Sequence, residues 1–296
     1  MHILLTGAQG FTGLHFSRIA ALAGHQVTPL KANLLDPIAL MTEISIVRPD
    51  TVVHLAGISF VGHQDDHAFY DVNLFGTLNL IDALKRTADT LQCVLLASSA
   101  TVYGNSPESP IAETQPPDPI NHYAMSKLAM EHMARSHAGK LPLVFVRPFN
   151  YTGPNQLESF LIPKMVRHFL QRAPYIELGN LQVEREFNDV RMVCDTYLRL
   201  LQHGRPGETY NVCSGTTHSL GEVLKVLSRL TGHTMDVRVN PAFVRANEIH
   251  RLCGNPRKLE SAIGPLTRWD LDETLAWVLS EPPQFRPGRG ADAGCV

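Results

Sequence analysis

The chain has 296 residues, enough for one large domain or two closely packed ones with a sizeable core. Charged residues are 18% and the formal net charge is −2, so no basic surplus exists to hold nucleic acid or an anionic membrane surface. The longest apolar runs, such as 52–58 and 93–97, have strand length and fall far short of a bilayer span.

The start, Met1-His2-Ile3-Leu4-Leu5-Thr6-Gly7, lacks a basic leader and a small-residue cleavage site. It reads as a first strand, and the expected location is cytoplasmic. Strand-length apolar runs at 3–6, 27–30, 51–56, 93–98 and 143–147 alternate with helical spacing at 11–23, 37–46, 69–85 and 123–137. That alternation predicts βαβ units and a parallel sheet, an α/β protein. The last two helices are long enough to offer an apolar face to a second copy, so a homodimer is expected. After Asn150 the pattern loosens, with Gly153-Pro154, Pro163, Pro174 and Gly179 as punctuation. Segments 186–201 and 209–213 read as a returning helix and strand, and 220–230 and 271–279 as further helices. The expected division is 1–150 with 186–213 as the sheet domain, 151–185 with 214–280 as a smaller lobe, and 281–296, rich in Pro and Gly, as a mobile tail.

Cys93, Cys194, Cys213, Cys253 and Cys295 show neither paired spacing nor an even count, which predicts reduced thiols rather than a disulfide framework. His63 and His67 stand one helical turn apart beside Asp65 and Asp66. With no second ligand cluster and no H-E-x-x-H, they read as a solvated helix start, and no metal is expected.

Gly7-Ala8-Gln9-Gly10-Phe11-Thr12-Gly13 follows the first strand and opens the first helix. In that context glycines allow the tight turn and let a pyrophosphate reach the helix N-terminus, where unpaired N–H groups and the dipole favour negative charge. An NAD-selective site usually places an acid at the end of the second strand, but 27–33 contains none and offers Lys31. NAD and NADP therefore both stay open. Farther on, Tyr123-Ala124-Met125-Ser126-Lys127 puts a phenol and an ammonium one turn apart on one helix face. Ser98-Ser99-Ala100-Thr101-Val102-Tyr103-Gly104 precedes them at a strand end. A core tyrosine and a capping serine are each commonplace, but the joint arrangement is specific. Free tyrosine ionises near pH ~10, so acid/base work at neutrality asks for about 4 kcal/mol of phenolate stabilisation, which Lys127 and an oxidised nicotinamide can supply.

From Met1 to about residue 279 these motifs resemble the extended short-chain dehydrogenase/reductase family, the NAD-dependent epimerases and dehydratases. The resemblance implies a Rossmann-type doubly wound sheet with a smaller C-terminal substrate lobe, NAD or NADP as cofactor, and a nucleotide sugar as substrate. It gives Ser99, Tyr123 and Lys127 the catalytic roles: Tyr123 exchanges the proton of the C4 oxygen, Ser99 hydrogen-bonds that oxygen, and Lys127 holds the nicotinamide ribose and lowers the Tyr123 pKa. Cofactor contacts fall to Gly7, Gly10, Phe11, Thr12 and Gly13 at the pyrophosphate, and to Lys31, Asn33 and Leu34 toward the adenosine. Leu55, Ala56, Gly57, Tyr123, Lys127 and Pro148 complete the cofactor set. In this alignment Asn33-Leu34-Leu35-Asp36 corresponds to the end of a third strand, and His54-Leu55-Ala56-Gly57 closes a fourth. Substrate contacts fall to Ser99, Thr101, Asn150, Arg185 and Arg245, the arginines clamping the diphosphate. Glu186 stands where the family more usually has Asp.

Absences narrow the reaction. The 4,6-dehydratases of this family carry acids just after the catalytic Ser/Thr, where this chain has Ala100 and Thr101. Enzymes of the GDP-fucose synthase kind carry a Cys there and a His after a later Gly-Pro, where this chain has Ala100 and Asn155. What remains is hydride chemistry at C4: reduction, oxidation or epimerisation. The segments 58–63, 98–104 and 160–164 look most like dTDP-6-deoxy-L-talose 4-dehydrogenases and dTDP-L-rhamnose 4-epimerases, with GDP-6-deoxy-D-mannose reductases close behind. A non-catalytic NAD(P)-binding sensor is the alternative from another class, and the intact Ser99, Tyr123 and Lys127 set weighs against it.

Overall fold

The computed structural model describes residues 1–60, 65–87, 90–243 and 249–281. His2–Thr6 form β1, buried from Ile3 onward, as a strand covered on both faces must be. The chain turns through Gly7 into α1 (Phe11–Leu22), then β2 (Gln26–Pro29), α2 (Pro37–Val47) and β3 (Thr51–His54). A short α3 (Asp66–Phe69) runs through a π-helical stretch, Tyr70–Gly76, into α4 (Thr77–Thr87). There follow β4 (Cys93–Ala97), a 3₁₀ turn (Ala100–Tyr103), α5 (His122–Arg135) and β5 (Leu143–Pro148). After β6 (Tyr151–Thr152), α6 (Leu161–Leu170), β7 (Tyr175–Leu178), β8 (Glu184–Arg185) and β9 (Asn188–Asp189), the helix α7 (Val190–His203) leads back to β10 (Thr209–Val212). The chain then forms β11 (His218–Ser219), α8 (Leu220–Thr231), β12 (Asp236–Val239), β13 (Arg251–Leu252), α9 (Arg257–Ile263) and α10 (Leu271–Ser280).

Six strands make one parallel sheet in the order β10-β5-β4-β3-β1-β2. The order reverses between β1 and β3, the switch point at whose carboxyl edge a doubly wound sheet takes its ligands. Each face has its own core. Phe16 and Ala20 of α1 meet Val193, Tyr197 and Leu200 of α7 under Ile3, Leu5 and Val53. On the other face Leu40 and Ile44 of α2, Leu80 and Leu84 of α4, and Met130 of α5 pack against Leu4, Val52 and Leu96. A third cluster joins α6, α8 and α10 through Met165, Val166, Val223, Leu227 and Leu275. Helix α9 falls in the stretch read as the smaller lobe, yet Leu259 and Ile263 pack into the first core.

Three elements differ from expectation. Residues 33–36 form no strand. Asn33 Oδ1 accepts Leu35 N–H at 2.9 Å, and the Asp36 carboxylate caps α2 by accepting N–H bonds from Ile38 and Ala39. With Pro37 at the first helical position, turn and cap chemistry overrides the Leu34-Leu35 pair, so His54 closes the third strand rather than the fourth. The helix expected at 69–85 is widened into a π turn around Asn73, whose carbonyl accepts the Thr77 hydroxyl at 2.7 Å. The returning helix starts at Val190 rather than at 186, because Asp189 accepts Arg191 N–H at 2.8 Å and caps it. The tail at 282–296 lies outside the described residues.

Candidate active site

At the switch point two strand ends form a cradle. Gly7 has φ +68°, and a Cβ there would lie 2.7 Å from Ala56 N. A Cβ at Gly13 would lie 2.1 Å from Gly7 O, so the first turn of α1 sits directly on the loop. Gly10 precedes α1 in extended conformation with no side-chain cap, leaving the helix N-terminus to an anion. This geometry fits a dinucleotide pyrophosphate. The side chains of Phe11 and Thr12 face elsewhere: Phe11 stacks on Tyr151 at 5.9 Å, and Thr12 Oγ1 hydrogen-bonds Tyr151 Oη at 2.8 Å. What these two residues can offer a phosphate is backbone N–H.

Beside the cradle, the segment after β2 has an occupant that the sequence pattern missed. Glu43 of α2 accepts the backbone N–H of Lys31 at 2.9 Å and of Ala32 at 2.7 Å. Lys31 itself is exposed. Leu34 is buried in the core formed with α2 and α4, and Asn33 is exposed with its carbonyl oxygen accepting Leu35 N–H, which leaves its amide N–H groups to solvent or a ligand.

Beneath the cradle runs a buried polar chain. Thr6 Oγ1 accepts the N–H groups of Leu55 and Ala56 at 3.1 and 3.0 Å, so its proton points to His54 Nδ1 at 2.7 Å. Thr77 Oγ1 gives its proton to Asn73 O and must accept from His54 Nε2 at 2.8 Å. The neighbours thus dictate a neutral imidazole with its proton on Nε2, and burial with the nearby Lys127 charge pushes the His54 pKa down to about 3. Asn73 continues the chain: Oδ1 accepts Ile58 N–H at 2.9 Å, and Nδ2 donates to Ser126 Oγ at 3.0 Å. Ser126 Oγ donates in turn to Tyr123 O at 2.8 Å. Two strand ends and the helix α5 are tied together by side chains 23 to 53 residues apart.

Ser99, Tyr123 and Lys127 meet at the open edge of this frame, exposed by only 7%, 9% and 6%. Ser99 follows β4 and caps the 3₁₀ turn; its hydroxyl bonds Thr101 Oγ1 at 2.9 Å and reaches the Tyr123 phenol. The ring of Tyr123 packs against Phe69 and Ile58. Asn121 caps α5 by accepting Ala124 N–H at 2.9 Å, which fixes the helix two residues before Tyr123. Lys127 donates to Ala97 O at 2.9 Å, and its Nζ lies 3.2 Å from where a Cβ on Gly57 would stand, so the lysine sits beside the segment that follows β3. Burial raises the Tyr123 pKa, and the Ser99 hydrogen bond pulls it the other way. Burial also pushes Lys127 down to about 8, opposed by the Glu131 carboxylate.

On α5, Glu131 accepts two bonds from Arg147, at 2.9 and 2.7 Å, with both side chains buried. The guanidinium lies 4.8 Å from the centre of the Tyr103 ring, and Tyr103 Oη donates to Asn211 Oδ1 at 2.7 Å. Helix α5 is thereby pinned to β5 and β10. The sequence pattern singled out neither Glu131 nor Asn73; each sits four residues from a group it serves, a spacing too common to flag either.

On the substrate side, Pro148 ends β5 and Asn150 is exposed just beyond it, its carbonyl accepting Asn188 N–H at 3.0 Å. Arg185 gives its guanidinium to the carbonyls of Glu184, His250 and Ile249, so it straps β8 to the segment before β13. Arg245 and His63 lie outside the described residues. Glu186 is fully buried and accepts from Gly254 N, Ser214 N, Ser214 Oγ and Asn188 Nδ2. The longer carboxylate in place of Asp is therefore accommodated, bridging three segments. Among the described residues no cluster of three or more His, Cys, Asp or Glu is placed to hold a metal, and no helix is long and apolar enough to cross a membrane.

The model of the GDP-mannose 4,6 dehydratase family matches residues 15–277. A GDP-6-deoxy-D-talose 4-dehydrogenase of Aggregatibacter actinomycetemcomitans is 35% identical over 270 residues, covering 89% of this chain and 92% of its own length. A GDP-6-deoxy-D-mannose reductase of Pseudomonas aeruginosa is 35% identical over 296 residues, covering 94% and 96%. Among solved structures, RMD from Pseudomonas aeruginosa in complex with NADPH is 33% identical with a TM-score of 0.88, covering 95% of this chain and 98% of that one.

Proposed function

The chain belongs to the GDP-mannose 4,6 dehydratase family, and within it we propose that the protein is an NAD(P)-dependent 4-dehydrogenase or reductase that interconverts a GDP-4-keto-6-deoxyhexose and one of its C4 alcohols. What supports this reading is the hydrogen bond between Ser99 and Tyr123, with Lys127 one turn on along α5 and its Nζ beside Gly57, the residue after Ala56 of the cradle. When bound, the nicotinamide supplies or accepts the hydride. Tyr123 moves the proton at the C4 oxygen; burial keeps its phenol protonated, the form that ketone reduction consumes. Ser99, bonded to Tyr123, aims a hydroxyl at the same oxygen. Lys127 carries a charge that its neighbours hold only weakly, and it can shift that charge toward the phenolate as the proton leaves. Ala100 and Thr101 have nothing to titrate, which argues against the water elimination after which the family is named.

The two relatives' names support guanosine over the thymidine favoured by the sequence segments. Talose and mannose are C4 epimers, so those names describe hydride delivery to opposite faces of one 4-ketone. The exposed side chains of Phe75, Met125 and Met133, on the adjacent π stretch and α5, support a homodimer, and the described cysteines, free and buried, suit a cytoplasmic site. The test gives purified protein GDP-4-keto-6-deoxy-D-mannose with NADH or NADPH, follows cofactor absorbance and identifies the sugar by NMR. Cofactor oxidation with a C4 alcohol as product, lost in Tyr123→Phe, is expected; turnover of the dTDP-linked ketone alone overturns the guanosine assignment, and inertness toward both overturns the reading.

A further inference from the structure

In a doubly wound sheet the adenosine ribose lies over the end of the second strand, where an acid favours the 2′-hydroxyl of NAD and a cation the 2′-phosphate of NADP. Here β2 runs beside β1, with Leu5 opposite Pro29 and Leu30 N–H bonded to Leu5 O, so the segment 30–32 leaves the sheet next to the Gly7 loop. That segment contains no acid. Two consecutive backbone N–H groups, of Lys31 and Ala32, point the same way, the arrangement that makes an anion nest at a strand end. Both are taken by the Glu43 carboxylate, with contacts of 2.9, 3.2 and 2.7 Å.

Resting on the dinucleotide reading above, we propose that Glu43 is a specificity-determining residue: an acid delivered from α2 to the end of β2, which selects NAD(H) against NADP(H). A 2′-phosphate brought to this nest meets a negative charge and donors already in use, whereas a 2′-hydroxyl can donate to the carboxylate where it stands. Lys31 places one positive charge on the same segment, but its side chain is exposed and screened by solvent, while the carboxylate is fixed by three contacts. The cofactor choice would then differ from that of the Pseudomonas aeruginosa RMD complex, which holds NADPH.

The test is binding rather than turnover: Kd values of NADH and NADPH, from the fluorescence of the reduced nicotinamide, for the wild type, Glu43→Gln and Glu43→Ala. Glu43→Gln keeps an acceptor for the two amides and removes the charge; Glu43→Ala also opens the donors. Wild type is expected to bind NADH more tightly, and Glu43→Gln to bind NADPH roughly tenfold more tightly than wild type, the order expected for charges a few ångströms apart near a surface. NADH affinity should fall in Glu43→Gln, because a neutral amide is a weaker acceptor for the 2′-hydroxyl than the carboxylate. Glu43→Ala should gain at least as much for NADPH. An unchanged ratio of the two affinities in both variants overturns the proposal while leaving the dinucleotide site intact. Failure of the wild type to bind either dinucleotide overturns the functional reading itself. A circular-dichroism melt of each variant separates loss of fold from loss of selectivity.

Discussion

His54 should make this protein sensitive to mild acid, and the size of the effect follows from its hydrogen bonds. Protonating Nδ1 would require Thr6 Oγ1 to stop donating and accept, although it already accepts two backbone N–H groups. With the ring buried as well, the folded-state pKa drops from 6.5 to about 3. The folded pKa is depressed, so the contribution is intact above about 6.5 and is lost as pH falls toward 3. Between pH 7 and pH 5 the unfolded chain gains most of a proton here that the folded chain refuses, at about 1.4 kcal/mol per unit below the unfolded pKa, which lowers stability by about 2 kcal/mol. That figure depends on the unfolded value alone, provided the folded pKa lies well below 5. Urea denaturation followed by the fluorescence of Trp269 and Trp277 at the two pH values measures it. His54→Gln removes the titration while keeping a donor and an acceptor; the variant is less stable at pH 7, but its loss between pH 7 and pH 5 should be smaller than the wild type's by about 2 kcal/mol. Equal losses in the two proteins would refute the claim that His54 is held neutral by its neighbours.

The remaining predictions concern the cradle and the catalytic helix. In Gly13→Ala the new Cβ meets Gly7 O at 2.1 Å, so the loop must shift; a cost of about 1–3 kcal/mol and dinucleotide binding weakened roughly tenfold are expected by fluorescence titration, and unchanged affinity would refute the close approach. Arg147→Met leaves Glu131 buried without its bidentate partner and should cost about 3–5 kcal/mol in urea melts, with Arg147→Met/Glu131→Leu recovering much of that loss. Lys127, pushed down to about 8, binds its proton less well in the folded chain than in the unfolded one, so the penalty is full below pH 8 and disappears as pH rises toward 10.5. Lys127→Met removes that titration, so the wild type should gain about 2–3 kcal/mol on the variant between pH 7 and pH 10 in urea melts, while the variant loses turnover.

What the sequence made legible is what chemistry places within one element or across one turn. The strands β1, β4 and β5 and the helices α1, α5, α8 and α10 fall within a residue or two of their apolar patterns, because each buries a continuous face. Gly7 and Gly13 are readable because only glycine meets the approach to Ala56 and the seat of the first turn of α1 on the loop. Tyr123 and Lys127 are readable because i and i+4 share a helix face. The π stretch at Tyr70–Gly76 was not, since the inward turn of Asn73 answers to Ile58 and Ser126, 15 and 53 residues away.

The residues whose surroundings the sequence motifs left unread share one physical feature: their setting depends on which polar group reaches them across the fold. Arg185 matches a diphosphate arginine by position, and it also donates to the carbonyls at 249 and 250, because β13 runs alongside β8 and presents them. Lys31 reads as a cation at the end of β2, yet the segment's amides answer to a glutamate that the rotational setting of α2 brings in from 12 residues downstream. Spacing along the chain carries no trace of that delivery, since α2 is oriented by Leu40 and Ile44 seated in the core with α4. Charge at the mouth of a cofactor site is thus decided by how a neighbouring helix is packed. A change in that packing, such as Ile44→Ala, would therefore disturb dinucleotide preference without touching a single residue of the strand end.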